Sequence, residues 1–495
     1  MLVVFKFLCC SKTGFAFLFE GKYDYMVFSS VTFLFAFLPC TFLGYYVLFR
    51  KNRKLQNRFM LVCSLLFYAW GGIKPLFLML FSIFINWLFA LLIDKSEKVV
   101  FKRSILGISV FINVSVLFVF KYLGFTVRNI NSLFNSEITV PEIALPIGIS
   151  FFTFQAMSYV IDVYRAGKGS ALTNPLDVGL YISLFPQLIA GPIVRYDTVK
   201  EQILHREETY EKFYYGIERF IIGLGKKSLL ANSLAIIAET SFSANQRSSL
   251  LAWLGIIAYT LQIYFDFSGY SDMAIGLGKM FGFEFLENFE HPYLSKNITE
   301  FWRRWHISMG TWFRDYVYFP LGGSRVSKKS RVYFNLFVVW LLTGIWHGAN
   351  WTFVFWGLLQ LIVLVIEKSS NLIKKENKNL FENVFGHIYT MLVVMTGWVF
   401  FNSDSLGSGF KYLGSMFGIG SVSPTPDEIT LIKENILLLI VSVICCLPIY
   451  NFAEKNFKDK KLYKFIKALG LFLIFALSVV YIVKGSYNPF IYFNF

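Results

Sequence analysis

The stretch YFNLFVVWLLTGIWHGANWTFVFWGLLQLIVLVIE, from Tyr333 to Glu367, decides the fold class. Its one formally charged side chain, Glu367, stands at the far end. At 1.5 Å per residue a single straight helix of that length would measure ~52 Å, against ~30 Å of bilayer hydrocarbon. The segment therefore reads as membrane chain that breaks or bends near Gly344–Asn350. Such a break puts an ionisable imidazole, His347, at membrane depth beside Asn350 and backbone freed by two glycines. Ionisable groups at that depth are costly, which makes His347 a candidate functional group. The plain alternative is a hydrogen-bonded packing histidine at a Gly344-x-x-x-Gly348 helix contact.

The rest of the chain agrees with a membrane reading. Of 495 residues, 56% are hydrophobic, 19% aromatic and only 16% charged, whereas soluble domains carry ~25% charge. Mean hydropathy is +0.55. Disordered, collagenous, coiled-coil and secreted disulfide classes are excluded by this composition. The net charge of +16 is explained by Lys and Arg collecting in cytoplasmic loops against anionic lipid, and no basic run sits on a soluble module, so nucleic acid is not an expected partner. The six cysteines form no C-x-x-C pair and read as small membrane hydrophobes.

The predicted fold is all-α and polytopic, with roughly 11–13 transmembrane and re-entrant helices. Residues 1–25 form short apolar patches broken by Lys6, Lys12, Glu20 and Lys22, and read as a leader or a misassigned start. Residues 26–495 read as a single membrane domain, opening with a span over Val27–Phe49. The basic loop Arg50–Lys54 is placed in the cytoplasm. ALPIGIS and LFPQLIAGPIV look like re-entrant or kinked helices, which lipid tolerates only where protein or a water-filled cavity surrounds them. Alternation of basic and Lys/Arg-poor loops places 368–378 inside and the tail SYNPFIYFNF outside.

Of five histidines, His205, His291 and His387 lie in polar stretches or at a span's polar end. His306 sits in TEFWRRWHISMGTWFRDYVYFPLGG, where helical spacing puts Trp302, His306, Gly310 and Phe313 on one face. Arg303, Arg304, Arg314 and Asp315 supply charge. This stretch reads as an interfacial amphipathic helix or as a pocket wall whose arginines hold donor phosphates. Asp266 and Asp272 lie among apolar residues and should be paired or hydrogen-bonded. With Trp305, Trp346 and Asn350, Asp266 is a candidate substrate contact. No G-x-S-x-G or H-E-x-x-H is present, so serine-hydrolase and zincin chemistry lack a motif and no metal site is expected.

Four strings carry a family resemblance: FPQLIAGPIVRY (Phe185–Tyr196), QIYFDFSGYSDMAIG (Gln262–Gly276), FWRRWHISMGTWFRDYVYFPLGG (Phe301–Gly323) and LTGIWHGANWTFVFWG (Leu342–Gly357). Together they resemble the membrane-bound O-acyltransferase family, most closely its bacterial branch typified by the alginate O-acetylation membrane protein. The similarity runs from about Met26 to Phe495; the leader is not a feature expected of the family. The resemblance implies a ring of helices around a central tunnel. It maps the family's active-site histidine, in a W-H-G motif, to His347 and a second histidine, in W-R-R-W-H, to His306.

The implied reaction is transfer of an acyl group, taken as acetyl, from a cytoplasmic thioester such as acetyl-CoA to a hydroxyl of an envelope or exopolysaccharide, with no bound cofactor. Neutral imidazole suits the base, its ordinary pKa lying near 6.5. Asn350, Trp346 or His306 are candidate donors to the oxyanion. The resemblance further implies a bacterial inner-membrane location, an extracytoplasmic acetyltransferase-type partner and a polysaccharide or cell-wall acceptor. Teichoic-acid D-alanyl transfer by the same fold stays open. So do a glycan transporter or flippase and a structural subunit anchoring an external enzyme.

Overall fold

A computed structural model of the chain describes residues 25–370, 379–484 and 491. The expected leader, apart from Tyr25, lies outside the described residues, as do most of the 368–378 loop and the tail apart from Ile491. Lipid offers no partner for backbone polar groups, so a spanning segment must satisfy its own, and the helix does this within one stretch of chain. The described residues accordingly hold helices and no strand, with isolated bridges only at Ser248–Val422 and Phe289–Trp305. Among the described residues seven helices are long and apolar enough to cross a membrane: Ile73–Lys95, Val99–Phe134, Tyr210–Ser243, Ser249–Met280, Trp351–Ser369, Leu380–Asn402 and Lys461–Val483. The pair Pro426–Cys445 and Ile449–Phe457, bent by 56°, brings the number to eight if counted as one span. The protein is a polytopic membrane protein.

The chain divides into two compact units. Among the described residues the first comprises 25–120, Ile143–Ile189 and Val194–Glu207. Its opening helix corrects the sequence expectation. The 23-residue run after Met26 folds as a helix over Phe33–Leu48 only, ~24 Å long at 1.5 Å per residue. Val27 and Ser30 form a turn ahead of it, and the Ser30 hydroxyl accepts the Phe33 N–H at 3.2 Å, starting the helix late. Phe33, Phe37, Phe67 and Phe185 pack ring on ring at 5.3–6.3 Å. The Ile73–Lys95 and Val99–Leu117 helices are joined by Asn113 Nδ2 donating to Asn86 Oδ1 at 2.8 Å, a side-chain bond of the kind that links helices in lipid.

Both segments read as broken helices are broken. ALPIGIS stays irregular until Gly148, then enters the Ile149–Ala166 helix. Gly148 has φ 70°, and a Cβ there would lie 2.8 Å from the Leu188 carbonyl oxygen, so the position requires glycine on two counts. In LFPQLIAGPIV one helical turn, Phe185–Leu188, is followed by irregular chain up to Arg195.

The second unit comprises Lys121–Glu142, Ala190–Ile193 and Glu208–Phe495. It is built on Tyr210–Ser243 against Ser249–Met280. Four glycines bring these backbones together: a Cβ on Gly216 would lie 2.6 Å from the Gly276 carbonyl, and one on Gly223 would lie 2.5 Å from that of Gly269. Small residues at such contacts let membrane helices approach closely. The approach also places cations beside the two buried carboxylates. Asp272 pairs with Arg219 and Lys226, each at 2.7 Å, and Asp266 pairs with Lys227 at 2.6 Å. The pairing expected of both aspartates is present, as it must be where water cannot solvate them.

This packing makes Gly223 intolerant of any side chain. Gly223→Ala is expected to lower the thermal unfolding midpoint of the detergent-solubilised protein, with a cost of roughly 1–3 kcal/mol. Gly107→Ala, where a Cβ meets nothing within 4 Å, should leave the midpoint unchanged. Equal midpoints for both variants would show that the glycine contact does not hold the helix pair.

Candidate active site

The break foreseen in the Tyr333–Glu367 stretch is present. One helix covers Lys329–His347 and the next Trp351–Ser369, with Gly348–Asn350 between them in non-helical backbone. The two helices fold back on each other because their backbones can touch. A Cβ on Gly344 would lie 2.6 Å from the Phe353 carbonyl, and one on Gly357 would lie 2.6 Å from that of Trp340. Gly344 is therefore a helix-contact glycine, but its partner is Gly357 across the turn and not Gly348, which lies in the break.

Several of the groups freed at the break are met locally. Asn350 caps the second helix, its Oδ1 accepting the Thr352 N–H at 3.1 Å, while its Nδ2 donates to the Asp404 carbonyl at 2.8 Å. Both functional atoms of Asn350 are thus engaged in holding the turn. On the other side, Lys121 Nζ donates to the Trp346 carbonyl at 2.5 Å, and the Tyr122 hydroxyl donates to that of Ile345 at 2.8 Å.

His347, the last residue of its helix, is 3% exposed. Its ring is boxed by Trp346 and Trp356, each at 5.0 Å, and by Phe401 at 5.1 Å, all steeply inclined to it. The Trp346 ring also lies 6.1 Å from that of His306. The fold thus gathers His347, Trp346 and His306 into one buried cluster, and His306 and Lys121 are the ionisable neighbours of His347.

His306 arrives by a route that corrects the sequence reading. The expected continuous helical face of Trp302, His306, Gly310 and Phe313 does not form. Instead, helices Ile298–Arg304 and Ile307–Phe313 are interrupted at His306, which has φ 47°. A non-glycine residue in the left-handed region is uncommon and persists where its surroundings enforce it. Here a short backbone ladder does so: Glu290 N–H donates to the Arg304 carbonyl and Ile307 N–H to that of Asn288, both at 3.0 Å.

Asn288 Oδ1 accepts the Ser308 N–H at 3.2 Å, the Ser308 hydroxyl at 2.9 Å and His306 Nδ1 at 3.1 Å. The Ser308 N–H can only donate, so it orients the Asn288 amide, and Nδ1 of His306 carries the proton. Nε2 is then the basic nitrogen of the ring. His306 lies outside the spanning helices, and burial pushes its imidazole down to about 3, so it stays neutral.

The start of this arm is fixed by the charge that closed the quoted stretch. Glu367, 1% exposed, accepts the N–H groups of Ile298 and Thr299 at 2.6 and 2.9 Å and the Thr299 hydroxyl at 2.8 Å. A carboxylate over a helix start meets orphan donors and the positive end of the helix dipole. Trp302 Nε1 donates to Gln360 at 3.1 Å on the same helix as Glu367. Trp305 packs on Phe289, Phe301 and Trp398 at 5.0–5.5 Å, as part of an aromatic core.

The charged candidates have partners of their own. Arg304 pairs with Glu300 at 2.8 Å, Arg314 with Asp315 at 2.8 Å, and Asp266 with Lys227. Arg303 is exposed on its short helix. Sequence reading passed over Asn288, Ser308, Lys121, Tyr122 and Phe401. Lys121 carried a signal, a lone cation where the apolar run Ser104–Phe120 ends; Asn288 carried none.

The family profile described as MBOAT, the membrane-bound O-acyltransferase family, matches residues 168–402. The chain is 39% identical to the "Probable alginate O-acetylase AlgI" of Azotobacter vinelandii, over 95% of this chain and 100% of that protein. It is 34% identical to the "Peptidoglycan O-acetyltransferase" of Helicobacter pylori, over 95% and 98%. It is 28% identical to the "Teichoic acid D-alanyltransferase" of Bacillus subtilis, over 52% and 68%. The multi-pass helical fold and these near full-length similarities agree: the chain is an O-acyltransferase and belongs to the membrane-bound O-acyltransferase family.

Proposed function

We propose that this enzyme moves an acetyl group from a cytoplasmic thioester, acetyl-CoA, toward hydroxyls of an envelope or exopolysaccharide, from the cytoplasmic membrane of a bacterium. The observation that carries the reading is His347, buried at a helix break with His306 across Trp346. The alginate and peptidoglycan O-acetylating relatives support acetyl as the group and a polysaccharide or cell-wall polymer as the acceptor. D-alanyl transfer finds support in a similarity that covers half of the chain at lower identity, and is the second reading.

In the proposed chemistry, a thioester is already activated, so the protein supplies a base and positioning. His347 takes the proton of the attacking hydroxyl as its oxygen adds to the thioester carbonyl. The C–S bond then breaks, and the leaving thiolate recovers that proton from the imidazolium. A well-placed base contributes ~10²–10⁴-fold. Holding donor and acceptor in line within a closed site contributes further. His306, neutral and with Nδ1–H fixed on Asn288, presents Nε2 as an acceptor that orients the hydroxyl. The hydroxyl acylated at His347 belongs to a carrier that leaves with the acetyl ester; an extracytoplasmic acetyltransferase-type partner then passes the acetyl to the polymer hydroxyl, whose proton restores the carrier hydroxyl.

The test uses membrane vesicles supplied with labelled acetyl-CoA on the cytoplasmic face, with native acceptor and partner present. His347→Ala, at wild-type abundance, is expected to lower label transfer by ~10²–10⁴-fold. His306→Ala should lower it by at least about tenfold. His205→Ala, on the exposed end of the Tyr196–His205 helix, should transfer at the wild-type rate. Wild-type transfer by His347→Ala would sink the base assignment. Transfer from a D-alanyl donor but not from acetyl-CoA would establish the second reading.

A further inference from the structure

The helix that enters the second unit at Lys121 addresses the His347 break from both sides. The apolar helix Val99–Phe134 contains one π-helical turn, Phe118–Tyr122. Such turns shift the register of the side chains that follow and recur at functional sites. Lys121 and Tyr122 close this one, and their side chains reach the last carbonyls of the His347 helix, Trp346 at 2.5 Å and Ile345 at 2.8 Å. Further along, Phe125 packs its ring edge-on against Trp351 at 5.7 Å, and Asn129 Oδ1 accepts the Trp351 indole N–H at 2.8 Å. Positions 121, 125 and 129 are four apart, one helix face. That face therefore grips the chain just before Gly348 and just after Asn350.

The chemistry suits the grip. The last carbonyls of a helix have no intrahelical donor and carry the negative end of its dipole, so a cation there is favoured. A lysine serving only as a membrane anchor would extend its ammonium into water. The Lys121 ammonium is instead bonded to the peptide that joins Trp346 to His347, and lies 5.8 Å from the Trp346 ring.

We propose that Lys121 is a positioning residue for acyl transfer, its ammonium and the Tyr122 phenol fixing the end of the His347 helix and so the place of the imidazole. This inference rests on the reading of His347 as the base. Its direct consequence is a separation of kinetic effects. The proposed role is on the Trp346 carbonyl, so loss of Lys121 is expected to misplace the base without weakening donor binding.

The test compares Lys121→Met, Lys121→Arg and Tyr122→Phe with wild type in the full vesicle assay, with rates normalised to inserted protein. Lys121→Met is expected to lower kcat roughly 10- to 100-fold, the scale of a misplaced catalytic group, at unchanged KM for acetyl-CoA. Lys121→Arg, which keeps the cation, should retain kcat within about threefold. If Lys121→Met does not insert, Tyr122→Phe carries the test, with an expected kcat loss of about three- to tenfold at unchanged KM.

A kcat within about twofold of wild type for every variant overturns the inference. So does a loss per inserted protein that lies wholly in KM, or an equal loss in the methionine and arginine variants. His347→Ala run alongside separates the two ideas. If it is silent while Lys121→Met works normally, only the lysine inference fails. If it transfers normally, the base reading fails and takes the inference with it.

Discussion

A helix broken where it is shut off from water must find partners for the backbone groups it frees, and this requirement governs the region around buried His347. Each unmet group there would cost several kcal/mol where no water can reach it. The break is therefore surrounded by dedicated donors and acceptors: Lys121 and Tyr122 on the carbonyls of Trp346 and Ile345, and Asn350 across to Asp404 and Thr352. Those same bonds hold the backbone on either side of His347.

The same economy of polar groups runs through the second unit. Glu367 would be an expensive charge at 1% exposure, yet four donors from Ile298, Thr299 and Tyr389 surround it. In return it anchors the short helix that delivers Trp305 and His306. Asn288 performs the matching task at the other end, with one carboxamide oxygen meeting His306 and Ser308. The left-handed backbone at His306 is held by these bonds on both flanks. The indoles of Trp302, Trp340, Trp356 and Trp398 fill the space between the two arms and set their separation.

Much of this was legible in the chain itself. The length of the apolar stretch forced a break, and the glycines and Asn350 located it. Buried Asp266 and Asp272 had to be paired, and they are. The motif strings pointed to both histidines. What failed was periodicity at short range. Spacing put His306 on a continuous helical face, but pairing with residues 288–290 overrode it. The run after Met26 looked long enough to span, but a turn at Val27–Ser30 shortened its helix.

The sequence by itself determined the class of molecule and the position of the helix break, and its motif strings singled out two histidines as candidates, because these follow from apolar length, glycine placement and motif order, all local along the chain. Only the tertiary structure decided that Trp346 lies between the two imidazoles, that Asn288 fixes the His306 tautomer, and that Lys121 seals the His347 helix 225 residues away from the carbonyl it binds. Hydrogen bonds and ring contacts between distant segments depend on which helix faces meet, and no local pattern of residues encodes that meeting.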